Sequence, residues 1–106
     1  MAVPAISASS YPVVWQEEGR LSATGKLVLD PDAVVLSGIA RDRMPVCERL
    51  PYAEIETIRV GRARNERLNG ERALLVERLD DGMVRIAVLG AGMLGELATL
   101  LAALAT

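Results

Sequence analysis

Short runs in which apolar and polar residues alternate fill most of the chain, and one helical pattern follows them at the C-terminal end. Alternation at every second position is typical of half-buried β-strands, which place successive side chains on opposite faces. Turn residues separate neighbouring runs at positions 30–32, 69–70 and 80–82, as expected of strands joined by tight turns. The pattern therefore predicts a mainly β fold of about seven antiparallel strands.

Residues 92–105 are the one amphipathic helix that the sequence predicts. At about 100° per residue, six apolar side chains fall within an arc of roughly 120°, the width of a stripe that faces a core. They are Met93, Leu94, Leu97, Leu100, Leu101 and Leu104. Because this helix follows the strands instead of alternating with them, we expect a strongly bent sheet or partly open barrel that the helix caps.

The opposite face of this helix is poor in charge, since Glu96 is its one charged residue. Small residues allow another backbone to approach closely, so this face is a hypothesis for an interaction surface with a second copy or another protein. Alanine chosen for helix propensity, or coverage by N-terminal residues, explains the same pattern without a partner. The small residues of the face are Gly95, Ala98, Thr99, Ala102 and Ala103.

The chain of 106 residues is long enough for one domain with a modest core. Residues 1–10 are small and polar-leaning and contain Pro4, which predicts a flexible N-terminal arm before a single domain over residues 11–106. We expect a cytoplasmic location, because the start lacks a charged segment and a long apolar run. The predicted helix is also too short to span a bilayer.

The composition excludes several kinds of chemistry. The sequence has no His, which removes the commonest general base and metal ligand. Cys47 is its one cysteine, so it has no internal disulfide, and in an apolar strand we expect it to fill core space. Paired acids occur at residues 17 and 18, 54 and 56, and 80 and 81, but two carboxylates without a third ligand make a poor metal site. We expect no enzyme, no metal and no cofactor.

The net charge of −2 gives no overall basic field that would attract nucleic acid. One segment of the chain is nevertheless rich in arginine. If residues 57–68 form one strand, Arg62 and Arg64 share a face, where they could hold an anion or an acidic peptide. The alternative is a solvated strand edge that is kept charged to prevent edge pairing. Glu66 and Glu71 dilute the positive charge. The arginines around the turn at residues 69–70 are Arg59, Arg62, Arg64, Arg67 and Arg72.

Two further residues stand out in the predicted strands. Trp15, the one tryptophan, belongs to the first strand. We expect it in the core or at the lid of the barrel, and stacking against a ligand is the alternative. Gly25 interrupts the second strand, which indicates a bulge or a sharp coil.

Residues 25–38 (GKLVLDPDAVVLSG) form a strand, a tight turn and a strand, and residues 50–60 (LPYAEIETIRV) enter a later strand. With the hairpin at Asp81 and Gly82 and the leucine-rich helix, this layout resembles the pleckstrin-homology-like superfold over residues 12–105. It is most similar to small bacterial PH-like and GRAM-like domains. The resemblance implies seven strands and a C-terminal helix.

The superfold includes lipid binders, peptide binders and scaffolds, so the resemblance implies no single function. Its lipid binders use a basic loop between the first two barrel strands. We take residues 30–32 as the counterpart, and they are too short and too acidic for a phosphorylated head group. The sequence therefore favours a non-enzymatic domain that associates with itself or with an unknown protein. Anion, small-ligand or acidic-peptide binding by the Arg-rich hairpin is the alternative, and peripheral membrane binding comes third.

Overall fold

The computed structural model describes residues 10–90 and 93–105. The predicted N-terminal arm lies outside these residues, except that Ser10 is the first residue of a strand. The described part contains strands β1 (Ser10–Glu17), β2 (Ala23–Leu29), β3 (Ala33–Ala40), β4 (Pro45–Pro51), β5 (Ile55–Val60), β6 (Leu74–Arg78) and β7 (Met83–Val88), followed by helix α1 (Met93–Ala105).

The seven strands form one antiparallel sheet in the order β4-β3-β2-β1-β7-β6-β5. The sheet curls into a half-barrel, and a 3-10 turn over Tyr52–Glu54 joins its two edge strands, β4 and β5. The Tyr52 hydroxyl donates to the backbone oxygen of Asp30 at 2.7 Å, and burial raises the pKa of Tyr52 to about 12. The predicted fold class, mainly β with one C-terminal helix, is confirmed.

Alternate residues of the strands point into one main core, which is largely aliphatic, as the sequence pattern predicts. Trp15 lies within this core and is 3% exposed, which confirms its predicted burial. Leu97 and Leu101 of α1 complete the core and are fully buried. Because α1 has its main contacts with β5, β7 and the turn over Tyr52–Glu54, it covers one side of the half-barrel.

The core-facing stripe of α1 differs from the predicted one. Leu100 and Leu104 are 39% and 42% exposed, whereas Ala98 and Ala105 pack against the core with Met93 and Leu94. The assignment of Leu100 and Leu104 to the core, and of Ala98 to the outer face, is therefore wrong. A sequence pattern assigns the most hydrophobic residues, here the leucines, to the core-facing side of a helix. The side that actually faces the core depends on how the helix docks on the sheet, and the local pattern does not determine that.

Gly25 is not at a bulge, because it pairs in regular register with Val13 on β1 and Gly38 on β3. A Cβ atom on Gly25 would lie 2.5 Å from the Cα atom of Gly38, and it would also strike the backbone of Ser37. The two glycines therefore allow β2 and β3 to approach more closely than any side chain permits.

Residues 57–60 of the predicted strand over residues 57–68 belong to β5, but β5 ends at Val60 and the chain then leaves the sheet, so the predicted continuation to residue 68 is wrong. Residues 61–73 fold over the outer face of the sheet, where Leu68 is buried with Val14, Ala73 and Ala87. The predicted Asn-Gly turn is present, with φ of 53° at residue 69 and 80° at residue 70. It closes one isolated bridge between residues 68 and 71, so the hairpin is much shorter than expected.

Cys47 is exposed, so the prediction that it fills core space is wrong. It lies on edge strand β4, where the more buried positions are Val46, Glu48 and Leu50. Alternation places Cys47 on the outer face between them. The sequence does not distinguish the faces of this strand, because a charged residue occupies one inward position.

Candidate functional site

Arg62 and Arg64 are both exposed, and they do not share a strand face. The chain has already left β5, and Arg64 begins a 3-10 turn over Arg64–Glu66. Within residues 10–90 and 93–105, neither guanidinium group has a hydrogen bond or an ion pair. The two residues thus remain near each other in the chain, without the shared geometry that the strand prediction gave them.

Glu66 organises this segment, a role that sequence reasoning missed. Its Oε1 atom accepts hydrogen bonds from the backbone N–H groups of Arg62 at 3.0 Å and Ala63 at 3.1 Å. Its Oε2 atom lies 2.7 Å from Nη2 of Arg59. The Arg59 hydrogen bond, followed by those from the backbone, lowers the pKa of Glu66 from 4.5 to about 2. Glu66, which in the sequence only lowers the local positive charge, therefore anchors the loop in the folded chain.

Replacing Glu66 with glutamine is expected to flatten the acid limb of stability. A lowered pKa in the folded state means that the ionised form stabilises the fold. This stability is fully present above the ordinary pKa of 4.5 and is lost as the pH falls towards 2. Urea unfolding at a series of pH values should show a smaller pH dependence for Glu66→Gln than for the native chain. An unchanged slope, equal to that of the exposed-site control Glu56→Gln, would contradict the anchor.

Two other arginines also hold this segment through its backbone oxygens. Arg67 donates through Nη1 to the backbone oxygen of Gly70 at 3.0 Å. Arg85, on the outer face of β7, donates to the backbone oxygen of Asn65 at 3.1 Å and to Oε1 of Gln16 at 3.2 Å. Of the arginines around the turn, Arg59 and Arg67 are therefore engaged by the chain itself, and Arg85 of β7 adds a contact from outside the segment.

The predicted interaction face of α1 is mostly exposed, and two leucines extend it. The Thr99 hydroxyl donates to the backbone oxygen of Gly95 at 3.0 Å, one turn earlier. Exposed Leu100 and Leu104 make the exposed helix surface more apolar than the sequence analysis expected. The exposed members of the original set are Gly95, Thr99, Ala102 and Ala103, and Ala98 packs against the core.

A cleft of about 360 Å³ opens at the ends of β1, β2, β3 and β4. We call it the β1–β4 cleft. Two exposed apolar side chains from the joining loops form its rim: Leu21 is 56% exposed and Met44 is 61% exposed. The more buried lining residues form its floor, and these are Trp15, Ala23, Ala40 and Val46.

The two loops that carry the rim are held together by their backbones. The N–H group of Arg41 donates to the backbone oxygen of Ser22 at 3.1 Å, which joins the β3–β4 loop to the β1–β2 loop. Each loop turns through a left-handed residue, Gly19 at φ 83° and Arg43 at φ 69°. Residues 18–22 are the loop between the first two strands, β1 and β2. Residues 30–32, which we took as the counterpart of that loop, join β2 to β3 instead, so this prediction is wrong.

Charged side chains also line the cleft, and acids outnumber bases among them. Glu17, Asp42 and Glu48 line it together with one basic residue, Arg20, which gives the lining a negative balance. Burial raises the pKa of Glu48, and the Glu17 carboxylate raises it further, while Arg20 and Arg78 act in the opposite direction. Glu48 is half-buried and has no ion-pair partner within the described residues.

Arg78 of β6 forms an ion pair with one member of this charged group. Its Nη1 atom lies 3.4 Å from Oε2 of Glu17, and the two side chains are 17% and 25% exposed. Its buried Nε atom has no hydrogen-bond partner within the described residues, and Oδ1 of Asp80 lies 3.9 Å away. Of its two acidic neighbours, Arg78 is therefore closer to Glu17 than to Asp80.

No motif or periodicity in the sequence indicates the cleft rim. Leu21 and Met44 are single apolar residues in otherwise polar loops. An isolated apolar residue in a polar loop is the one sequence feature that could have marked them as candidates for a binding surface. Scattered apolar residues are common on protein surfaces, so the signal becomes specific only when folding brings two of them to one cleft. Trp15 was expected in the core or against a ligand, and it is a buried residue that also lines the cleft.

Comparisons with known proteins place no further constraint on the site. A scan against protein-family models gives no match, and a search of the curated proteins gives none. Within residues 10–90 and 93–105, no group of three or more His, Cys, Asp or Glu side chains is placed to hold a metal ion. In the same residues, no helix has the length and apolar character needed to cross a membrane.

Proposed function

We propose that the chain is a non-enzymatic interaction module that binds a segment of a partner protein in the β1–β4 cleft. The observation that supports this proposal is the apolar rim of Leu21 and Met44 beside Trp15. Covering exposed apolar side chains removes their surface from water, which favours association. A concave site with an apolar floor and a few charged groups is the usual composition of a binding pocket.

A pleckstrin-homology-like identity and a cytoplasmic location belong to the same proposal. The curled seven-stranded sheet and its C-terminal helix are compatible with that superfold. Because the superfold serves several functions, the proposal depends on the cleft and not on the fold. Anion binding at Arg62 and Arg64 remains the alternative, and their exposure is the observation in its favour.

The proposal predicts that a charge on the rim blocks binding. Random peptides displayed on phage are selected against the immobilised native chain, and the affinity of a selected synthetic peptide is measured by calorimetry. Replacing Leu21 with aspartate should weaken binding by about tenfold or more, because burial of a leucine contributes about 1.5–3 kcal/mol.

Leu89→Asp is the matched control, because Leu89 is 54% exposed and Leu21 is 56% exposed. Leu89 lies after β7 and does not line the β1–β4 cleft. The control should keep the native affinity within about twofold. Equal losses for the two variants, or a selection that yields no binding peptide, would contradict the proposed function.

A further inference from the structure

We infer that the partner segment places an arginine or lysine side chain in the β1–β4 cleft, next to an apolar residue. This inference rests on the proposed function and specifies the chemistry of its ligand. Its basis is the combination of an apolar rim with acidic side chains in one cleft. A segment with one cation and one apolar neighbour complements both features.

The charge balance of the lining determines the sign of the ligand. Three carboxylates, from Glu17, Asp42 and Glu48, line the cleft with one guanidinium group, from Arg20. An anionic ligand would add a like charge to a partly enclosed group of carboxylates, where charge interactions are weakly screened. A cationic ligand would reduce the repulsion that already exists there.

Among the three carboxylates, a ligand cation would gain the most binding free energy by pairing with Glu48. Glu17 already has Arg78 at 3.4 Å, whereas Glu48 has no ion-pair partner within the described part of the chain. It is half-buried on β4 and lies close enough to Glu17 for their charges to interact. A charge-assisted hydrogen bond to Glu48 would compensate this charge directly.

Arginine and lysine also suit the shape of the site. Their aliphatic stems can lie against apolar surface while the charged group reaches a carboxylate. The β1–β4 cleft offers Trp15 and Val46 on its floor and Met44 on its rim for such a stem. An adjacent leucine in the partner segment would then cover Leu21.

Three blocked pentapeptides test the inference: N-acetyl-Gly-Leu-X-Leu-Gly-amide with arginine, norleucine or glutamate at X. Binding is followed through the fluorescence of Trp15, the one tryptophan of the chain, and through its indole N–H resonance. We expect the arginine peptide to bind about tenfold more tightly than the glutamate peptide. We also expect this preference to decrease as salt is added.

Glu48→Gln identifies the carboxylate that is responsible. This variant should fold, because a neutral amide removes the repulsion with Glu17. It should lose the arginine preference to within about twofold and keep the affinity for the norleucine peptide. Glu56→Gln, at an exposed carboxylate of β5, is the charge-matched control and should leave the preference intact.

Each other outcome overturns the inference in a distinguishable way. Equal binding of all three peptides, with loss of binding in Leu21→Asp, would leave the proposed function standing without the cation. An arginine preference that survives Glu48→Gln would place the cation elsewhere. If neither Trp15 signal changes at about 1 mM peptide, this ligand class is excluded. The proposed function is then tested separately by the phage selection. A response of Trp15 to vesicles with phosphoinositide head groups, and not to the peptides, would make the ligand an anionic lipid.

Discussion

Replacing Gly25 with alanine is expected to prevent stable folding. The added Cβ atom would strike the backbone of Ser37 and would lie 2.5 Å from Cα of Gly38, whereas real Cβ atoms essentially never come closer than 3.0 Å to such neighbours. Backbone cannot rotate away as a side chain does, so β2 and β3 must separate. We expect a loss of more than about 4 kcal/mol, which few single substitutions cause. Urea unfolding followed by circular dichroism measures it.

Gly95→Ala is the control for this substitution. Gly95 lies on α1, and a Cβ atom there would meet no heavy atom within 4 Å outside the adjacent backbone of its own helix. Alanine has the higher helix propensity, so this variant should be more stable by about 0.5–1 kcal/mol. A folded Gly25→Ala protein with near-native stability would show that the two strands do not approach as closely as described.

Replacing Leu97 with alanine is expected to cause the second-largest loss of stability. Leu97 is fully buried and packs in the core under α1. Removing a buried leucine side chain loses its transfer free energy and leaves a cavity, which costs about 2–5 kcal/mol. Small domains have a total stability of only about 5–15 kcal/mol, so the native state would be strongly depleted.

Leu104→Ala tests whether the position of α1 is correct. The sequence pattern places both leucines on one core-facing stripe, but Leu104 is 42% exposed. Its replacement should change the unfolding free energy by no more than about 0.5 kcal/mol. Similar losses at Leu97 and Leu104, measured by urea unfolding, would restore the predicted stripe and contradict the described docking of the helix.

The strands and the helix could be predicted because local patterns determine them. Alternation along β1 and β7, and the tight turn after β2, need only the period of side-chain directions and the turn preferences of Asp, Pro and Gly. The same reasoning failed at residues 61–68. There Leu68 covers Val14 on the outer face of the sheet, and no local pattern reports that distant contact.

The candidate sites were harder to predict, because tertiary structure assembles them. Leu21 and Met44 are 23 positions apart in the numbering and become neighbours of one cleft only when the sheet curls. In the sequence, Glu66 only reduces the positive charge of the arginine-rich segment. In the structure, its contacts with Arg59 and the backbone of Ala63 make it an anchor of the loop. Residue type gives the chemistry of such groups, and the fold decides whether they face a ligand or the chain itself.

The most direct test of the proposed binding site is a chemical-shift titration of the ¹⁵N-labelled native chain with a peptide from the phage selection. If the peptide binds in the β1–β4 cleft, the largest changes occur at the Trp15 indole and at the backbone amides of Leu21 and Met44. Saturating changes centred on Arg62 and Arg64, or along α1, with the resonances of the β1–β4 cleft unmoved, would contradict the proposed binding site.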